Sequence, residues 1–232
     1  SGAAGERLLL YIDRTVLNEY TSPQAFSGLR AAGRAPWRPA ASLGVVDHVN
    51  STNPDRDAGE LDDGARRQIE YLGENGRDFG IEIFDLFDPR QGIEHVVMPE
   101  LGLVLPGMVI AAGDSHSTTY GAFGVVGFGI GTSDIEHLLA TQTLVYRRLR
   151  TMRIRIDGTL APGVTAKDLI MEVIRRIGAD GAAGHAVEFA GEAIAALGVE
   201  ARMTICNMAD ECGGRVALMA PDNKVIDYIA GC

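Results

Sequence analysis

Short apolar runs rich in aliphatic residues alternate with helix-like stretches along the chain, and several of those runs end on polar residues. "LLLYID" (8–13) precedes "SPQAFSGLRAAG" (22–33), where Ser22 occupies an N-cap position and Pro23 the first helical one. "SLGVVDH" (42–48) precedes "DDGARRQIEYLGENG" (62–76), a charged helix with Ile and Leu three apart, and "IEIFDLF" (81–87) is strand-like again. "GMVIAAGDSH" (107–116) gives a fourth strand. "TSDIEHLLATQTLVYRRL" (132–149) reads as a helix capped by Thr132 or Ser133, with arginines near its C-terminal end. This alternation predicts an α/β fold with a mostly parallel sheet wrapped by helices.

After "YRRLR" the charge turns basic and a new strand opens at "TMRIRIDG" (151–158), which predicts a first domain over 1–150 and a second, smaller α/β unit over 151–232. The second unit holds a capped amphipathic helix, "TAKDLIMEVIRRIG" (165–178), then "HAVEFAG" and "ARMTICNMADECGG" (201–214). With 46% apolar residues, 232 positions suffice for a sizeable core. A formal charge of -10 argues against a nucleic-acid footprint, and any anionic substrate must meet local positive groups. No apolar run approaches the roughly 18 residues that span a bilayer. Three cysteines, all at or after position 206, do not make a secreted disulfide framework, and the N-terminus shows no signal segment, so a cytoplasmic protein is expected.

In doubly wound folds ligands gather at the carboxyl ends of strands. Three polar clusters are expected there: Asp47-His48 after the second strand, His95 after the third, and Asp114-Ser115-His116 after the fourth. His137 reads as a surface or packing residue of a helix and His185 as a loop residue. An acid beside a histidine fixes the tautomer of the imidazole and raises its basicity, which suits acid–base work. The same Asp-x-His spacing suits a divalent metal, so a metal-dependent hydrolase is a competing reading. A binding or assembly module that takes a polycarboxylate without turning it over is a third.

The ordered series "YIDR", "TSPQAF", "VDH", "GDSH", "GAFG", "FGIGTSDIEHLLATQT", "DGTLAPGVTAKDLI", "VEFAGEAI" and "MTICNMADE", spread over residues 8–232, resembles the 3-isopropylmalate dehydratase large-subunit family of the aconitase superfamily. The resemblance implies aconitase-type α/β/α layers. It also implies reversible dehydration and rehydration of a small 2-hydroxy polycarboxylate at a [4Fe–4S] cluster, whose open iron acts as the Lewis acid. Carried over position by position, it implies catalytic roles for Asp47, His48, His95, Asp114, His116 and Glu211, and substrate binding by Gln24, Ser115 and Asn207. The implied pairs are Asp47 with His48, Asp114 with His95, and Glu211 with His116. Asn207 and Glu211, four apart on an expected helix, would share a face.

Two departures qualify the substrate: Tyr120 stands where these subunits usually have histidine, and "VDHVNSTNPDRDAG" differs from their usual wording after His48. A third concerns the cluster. Cys206, Cys212 and Cys232 lack the close Cys-x-x-Cys pair of the family's ligands, so no metal ligand is expected in this chain and the cluster region is expected to be absent from it. The expected partner is a small, swivelling-domain subunit. Alone, the chain is expected to carry no cluster and to have negligible dehydratase activity.

Overall fold

The computed structural model describes residues 5–53 and 62–232 of the chain. The main sheet has five strands in the order β4-β3-β2-β5-β6, all neighbours parallel: β2 (Arg14–Asn18), β3 (Ser42–Val45), β4 (Glu82–Phe84), β5 (Val109–Ala112) and β6 (Val126–Gly129). Helix α1 (Pro23–Ala31) links β2 to β3, α2 (Asp63–Phe79) links β3 to β4, and α3 (Glu94–Glu100) lies between β4 and β5. Successive residues of β2 point to opposite faces and both are covered. Val16 joins the largest apolar cluster with Phe84, Ile110 and Phe123, whereas Leu17 packs with Phe26, Leu29, Ile135 and Leu139. A sheet buried on both faces explains why its strands read as near-continuous apolar runs.

The run 8–13 is not the first strand of this sheet. Its core, β1 (Arg7–Tyr11), pairs antiparallel with β7 (Thr143–Arg147), and Leu9 is 69% exposed. The central strand is β2, whose polar Arg14 and Thr15 disguise it although Thr15 is buried. The expected helix over 132–149 also divides. Helix α4 (Thr132–Thr141) stops at Gln142, which adopts a left-handed φ of 57° and donates from Nε2 to the Ile12 carbonyl at 2.8 Å. The β-branched and aromatic "TLVYR" that follows is β7, so the arginines leave the helix. Ser22 does stand before α1, but its hydroxyl donates back to the Asn18 carbonyl at 2.6 Å instead of capping the helix.

A three-stranded parallel sheet, β10-β9-β8, follows, built from β8 (Arg150–Arg155), β9 (His185–Ala190) and β10 (Val216–Leu218). His185 is thus the first residue of a strand. Helix α5 (Ala166–Ile177) starts from a capping box between Thr165 and Asp168, and is followed by α6 (Glu192–Ala196), α7 (Val199–Asn207) and α8 (Asn223–Ala230). The largest apolar cluster contains residues on both sides of position 150, with Tyr120 and Phe123 beside Ile170, Phe189 and Ile205. The 3₁₀ run Ser115–Phe123 lies at this junction. A Cβ at Gly121 would sit 1.8 Å from the Ala217 carbonyl oxygen, so only glycine allows β10 to approach, and Met219 N–H donates to the Gly121 carbonyl at 3.0 Å.

Candidate active site

The strand order places β3 and β4 on one side of β2, and β5 and β6 on the other. Chains leaving the carboxyl ends of β2 and β5 therefore part company and open a crevice, the usual ligand position of an open parallel sheet. Asp47-His48 follows β3 and Asp114-Ser115-His116 follows β5, both at this edge. His95 reaches it differently from the expected strand end: it lies in the first turn of α3, eleven positions after β4 closes at Phe84. That helix lacks a cap from its own N-cap residue, and Asp47 Oδ2 accepts the Glu94 N–H at 2.7 Å instead, tying His95 to the Asp47 turn.

Asp114 is the centre of the network. Its Oδ1 accepts from His95 Nε2 at 2.6 Å and from His116 N–H at 2.7 Å, while its Oδ2 is 3.1 Å from His48 Nε2. Burial pushes this carboxyl up, but the hydrogen bonds from His48 and His95 outweigh it and hold Asp114 well below the usual carboxylate range. His48 Nδ1 lies 2.6 Å from Asp47 Oδ1. With a carboxylate at each ring nitrogen, His48 must donate from both, and its pKa is raised to about 10 by the bond to Asp114, then that to Asp47, against burial. It is an imidazolium at neutral pH. His95 donates Nε2–H to Asp114, leaving Nδ1 as an acceptor 3.4 Å from the buried Tyr120 hydroxyl. Burial pushes the Tyr120 phenol far up, so it stays a neutral donor.

The third pair is looser. His116 Nε2 is 3.7 Å from Glu211 Oε1, with side-chain exposures of 34% and 55%. Its Nδ1 donates to the Asn207 carbonyl at 3.1 Å, which leaves Nε2 facing the cleft. The expected single helix face for Asn207 and Glu211 is not formed, because α7 ends at Asn207 and the chain tightens into a 3₁₀ turn over Met208–Cys212. Asn207 Nδ2 is occupied by Thr119 Oγ1 at 3.0 Å. Three hydroxyls of the Gly113–Gly124 stretch are satisfied by protein carbonyls: Ser117 by Asp114, Thr119 by His116 and Thr118 by Asn207.

Asp47, His48, His95, Asp114, His116 and Asn207 line one cleft of about 300 Å³, which shares residues with a groove of about 590 Å³ that Glu211 helps to form. Ser115 lines a neighbouring pocket with Gly129, Gly131, Asp210 and Arg215. Gln24 lies exposed on α1 and lines none of these cavities. From position 54 onward the divergent "VDHVNSTNPDRDAG" segment lies outside the described residues.

Sequence reasoning missed four contributors. Glu19, fully buried after β2, accepts the N–H groups of Asp47, His48 and Val49 at 3.2, 2.7 and 2.6 Å and so shapes the turn that presents His48. Glu94 is buried behind His95. Tyr120 supplies the hydroxyl at Nδ1, and Lys167 brings a cation to the groove. Of these only Tyr120 carried an advance signal, as the residue that stands where the resembled subunits usually have histidine.

Among the described residues, two groups bring three metal-capable atoms within 4.8 Å of one another: Glu19 with Asp47 and His48, and Glu94 with His95 and Asp114. In the second, Glu94 faces Nδ1 and Asp114 faces Nε2, so the imidazole stands between the two acids. In the first, Glu19 is already bound to three backbone donors. Both are laid out as hydrogen-bonded acid–base pairs. The cysteines do not fit an iron–sulfur cluster. Cys206 is buried in the main core and burial pushes its thiol far up, Cys212 is also buried and pushed up, and Cys232 is exposed beside the Pro99 and Tyr228 carbonyls. No helix among the described residues is long and apolar enough to cross a membrane.

Residues 2–232 match the model of the aconitase family (aconitate hydratase). The chain is 65% identical over 224 residues to 3-isopropylmalate dehydratase large subunit 2 of Salmonella choleraesuis, and 64% identical over 224 residues to that of Salmonella typhimurium. It is 65% identical to large subunit 1 of Mannheimia succiniciproducens. Each match covers 97% of this chain and 47% of the relative, so the chain spans about half the length of these proteins. Among solved structures, Thermococcus kodakaraensis aconitase X in its holo-form is similar in fold, with a TM-score of 0.50 at 14% identity over 91% of this chain and 52% of that one.

Proposed function

The chain belongs to the aconitase family, and from that premise we propose that its cleft is the acid–base part of a hydro-lyase site that isomerises a small 2-hydroxy di- or tricarboxylate, 3-isopropylmalate above all. The observation that carries this reading is Asp114, one ionised carboxylate holding two imidazoles, with a third on its own loop. The Asp47–His48, Asp114–His95 and Glu211–His116 distances of 2.6, 2.6 and 3.7 Å support the three acid–imidazole roles.

Loss of water from a 2-hydroxy acid needs a proton for the departing hydroxyl and a base for the proton on the adjacent carbon, and that base is proposed to come from outside these 232 residues. Cationic His48 can give its Nε2 proton at the cost of the 3.1 Å bond to Asp114, the longest of the three that this carboxylate accepts, so the hydroxide leaves as water. His116, with Nδ1–H fixed on the Asn207 carbonyl, keeps Nε2 free to take a proton from water when the alkene is rehydrated. The positive charges of His48 and Lys167 offset the acidic surroundings for an incoming carboxylate. Ser115, Gln24 and Asn207 are proposed to bind substrate. The [4Fe–4S] cluster is proposed to take its thiolates from outside these 232 residues. A small, swivelling-domain subunit is proposed as partner, and the cytoplasm as location.

The test is a chimera in which this chain replaces the matching 224 residues of the Salmonella typhimurium large subunit, assembled with that organism's small subunit. Isomerase activity on 3-isopropylmalate is expected, and His48→Asn is expected to lower kcat by about 10²–10⁴-fold. A folded, cluster-loaded chimera without turnover would overturn the reading.

A further inference from the structure

Glu94 is fully buried, its N–H is bonded to Asp47, and neither of its carboxyl oxygens has a hydrogen-bond partner. An ionised carboxylate there would face the like charges of Asp47 and Asp114 without a donor of its own, a severe desolvation penalty. The groups facing it are few. His95 Nδ1 lies 3.8 Å away and is shared with the Tyr120 hydroxyl at 3.4 Å, the Asn18 side-chain amide at the end of β2 faces it without a satisfactory hydrogen bond, and the charge of His48 also acts on it. Burial, then the charges of Asp47 and Asp114, pushes Glu94 well above the ordinary carboxyl range, while His48 and Asn18 offset only part of this.

We propose that Glu94 is a positioning residue of the site: an uncharged carboxylic acid, stored behind His95, whose O–H backs Nδ1 and so holds the imidazole with its other proton on Asp114. One proton resolves two problems at once. It removes the unpaired buried charge, and it replaces a carboxylate that would draw a proton onto Nδ1 with an O–H that, beside the Tyr120 hydroxyl at 3.4 Å, keeps this nitrogen an acceptor while Nε2–H stays on Asp114. The terminal carboxyl torsion of a glutamate is broad and soft, so the O–H can swing towards Nδ1 without leaving its rotamer. The purpose assigned here rests on the acid–base reading of the cleft, whereas the protonation state can be read without turnover.

The test uses ¹³C-labelled glutamate in the full chain, with the Glu94 carboxyl assigned by its loss in Glu94→Gln. The Glu94 signal is expected to keep its protonated shift from pH 4 to 7.5 while exposed glutamates titrate. Titration near the ordinary glutamate value would overturn the proposal. Two variants give a second readout. Glu94→Gln keeps a donor and is expected to retain the ¹⁵N pattern of a His95 imidazole protonated at Nε2, whereas Glu94→Leu is expected to lose it. An unchanged pattern in Glu94→Leu would remove the positioning role. The unfolded chain loses this proton near pH 4.5 and the folded chain keeps it, so the contribution of Glu94 to stability falls as pH rises above that value. Glu94→Gln is expected to gain up to about tenfold per pH unit in its folding constant relative to wild type. A pH-independent difference would contradict the uncharged acid. If the acid is confirmed but the chimera is inactive, the proposed reaction fails and the Glu94 assignment stands.

Discussion

The two halves of the cleft are built to different standards. Around Asp114, His48 and His95 sit on bonds of 2.6–3.1 Å, and the turn beneath them is held by a buried glutamate. Around Glu211, His116 meets its acid at 3.7 Å with both side chains open to water. The first half joins segments that follow β2, β3 and β5 with the start of α3. The second depends on a 3₁₀ turn at the end of α7. A tight ion-paired network in a semi-buried crevice needs no ligand to keep its shape, whereas an exposed pair gains little in water and is free to reorganise around one. The chain thus carries a preformed charge centre and an adjustable arm.

Breaking the charge centre is expected to have the largest effect. Asp114→Asn leaves two imidazoles and a backbone N–H sharing one weaker acceptor, and is expected to cost about 3 kcal/mol in urea denaturation at pH 7. A loss under about 1 kcal/mol would mean that the network is not structural. Next, Glu19→Gln puts an amide donor against three backbone donors and is expected to cost about 2 kcal/mol. His48 ring ¹⁵N shifts should move while those of His116 stay, which separates the two halves directly. The charge on His48 gives a pH test. Its folded pKa is above the unfolded one, so its contribution is complete below about pH 6.5 and is lost as pH rises through about 10. Compared with His48→Gln, the wild type should be ahead by about 1 kcal/mol at pH 6, a gain kept small by solvent screening, and level by pH 10.5. The smallest effect belongs to the arm: Glu211→Gln is expected to change stability by under about 0.5 kcal/mol and to leave the His48 signals in place. A larger change would show that the arm is as fixed as the centre.

The alternation of apolar runs and helix patterns was sufficient to predict a parallel α/β sheet, because buried strands and capped helices each leave a local signature. It could not separate β1 from β2. "LLLY" is the more apolar run, yet it forms a half-exposed ribbon, while "RTVLN" is central because its neighbours bury it. The break at Gln142 was hidden for a similar reason, since a left-handed residue held by its own side-chain bond to Ile12 has no local mark. Of the site, the residues at the ends of β3 and β5 were legible from their place after apolar runs. His95 was legible as a residue but not as part of α3, whose start depends on Asp47, forty-seven positions away. Glu19, Glu94 and Tyr120 act through contacts between segments distant in sequence, which no periodicity encodes.

The contact at Gly121 bears on how this molecule tolerates sequence drift. Side chains at an interface have rotamers and can repack around a substitution, so spacings set by them shift as cores diverge. Where the backbone of the 3₁₀ run meets the carbonyl of Ala217 directly, there are no rotamers to adjust. The separation between the Asp114 loop and β10 is then fixed by covalent geometry, and the apolar residues around it can be exchanged without changing that gap. Position 121 itself is closed to every residue with a β-carbon, and that one restriction leaves its neighbours free to vary.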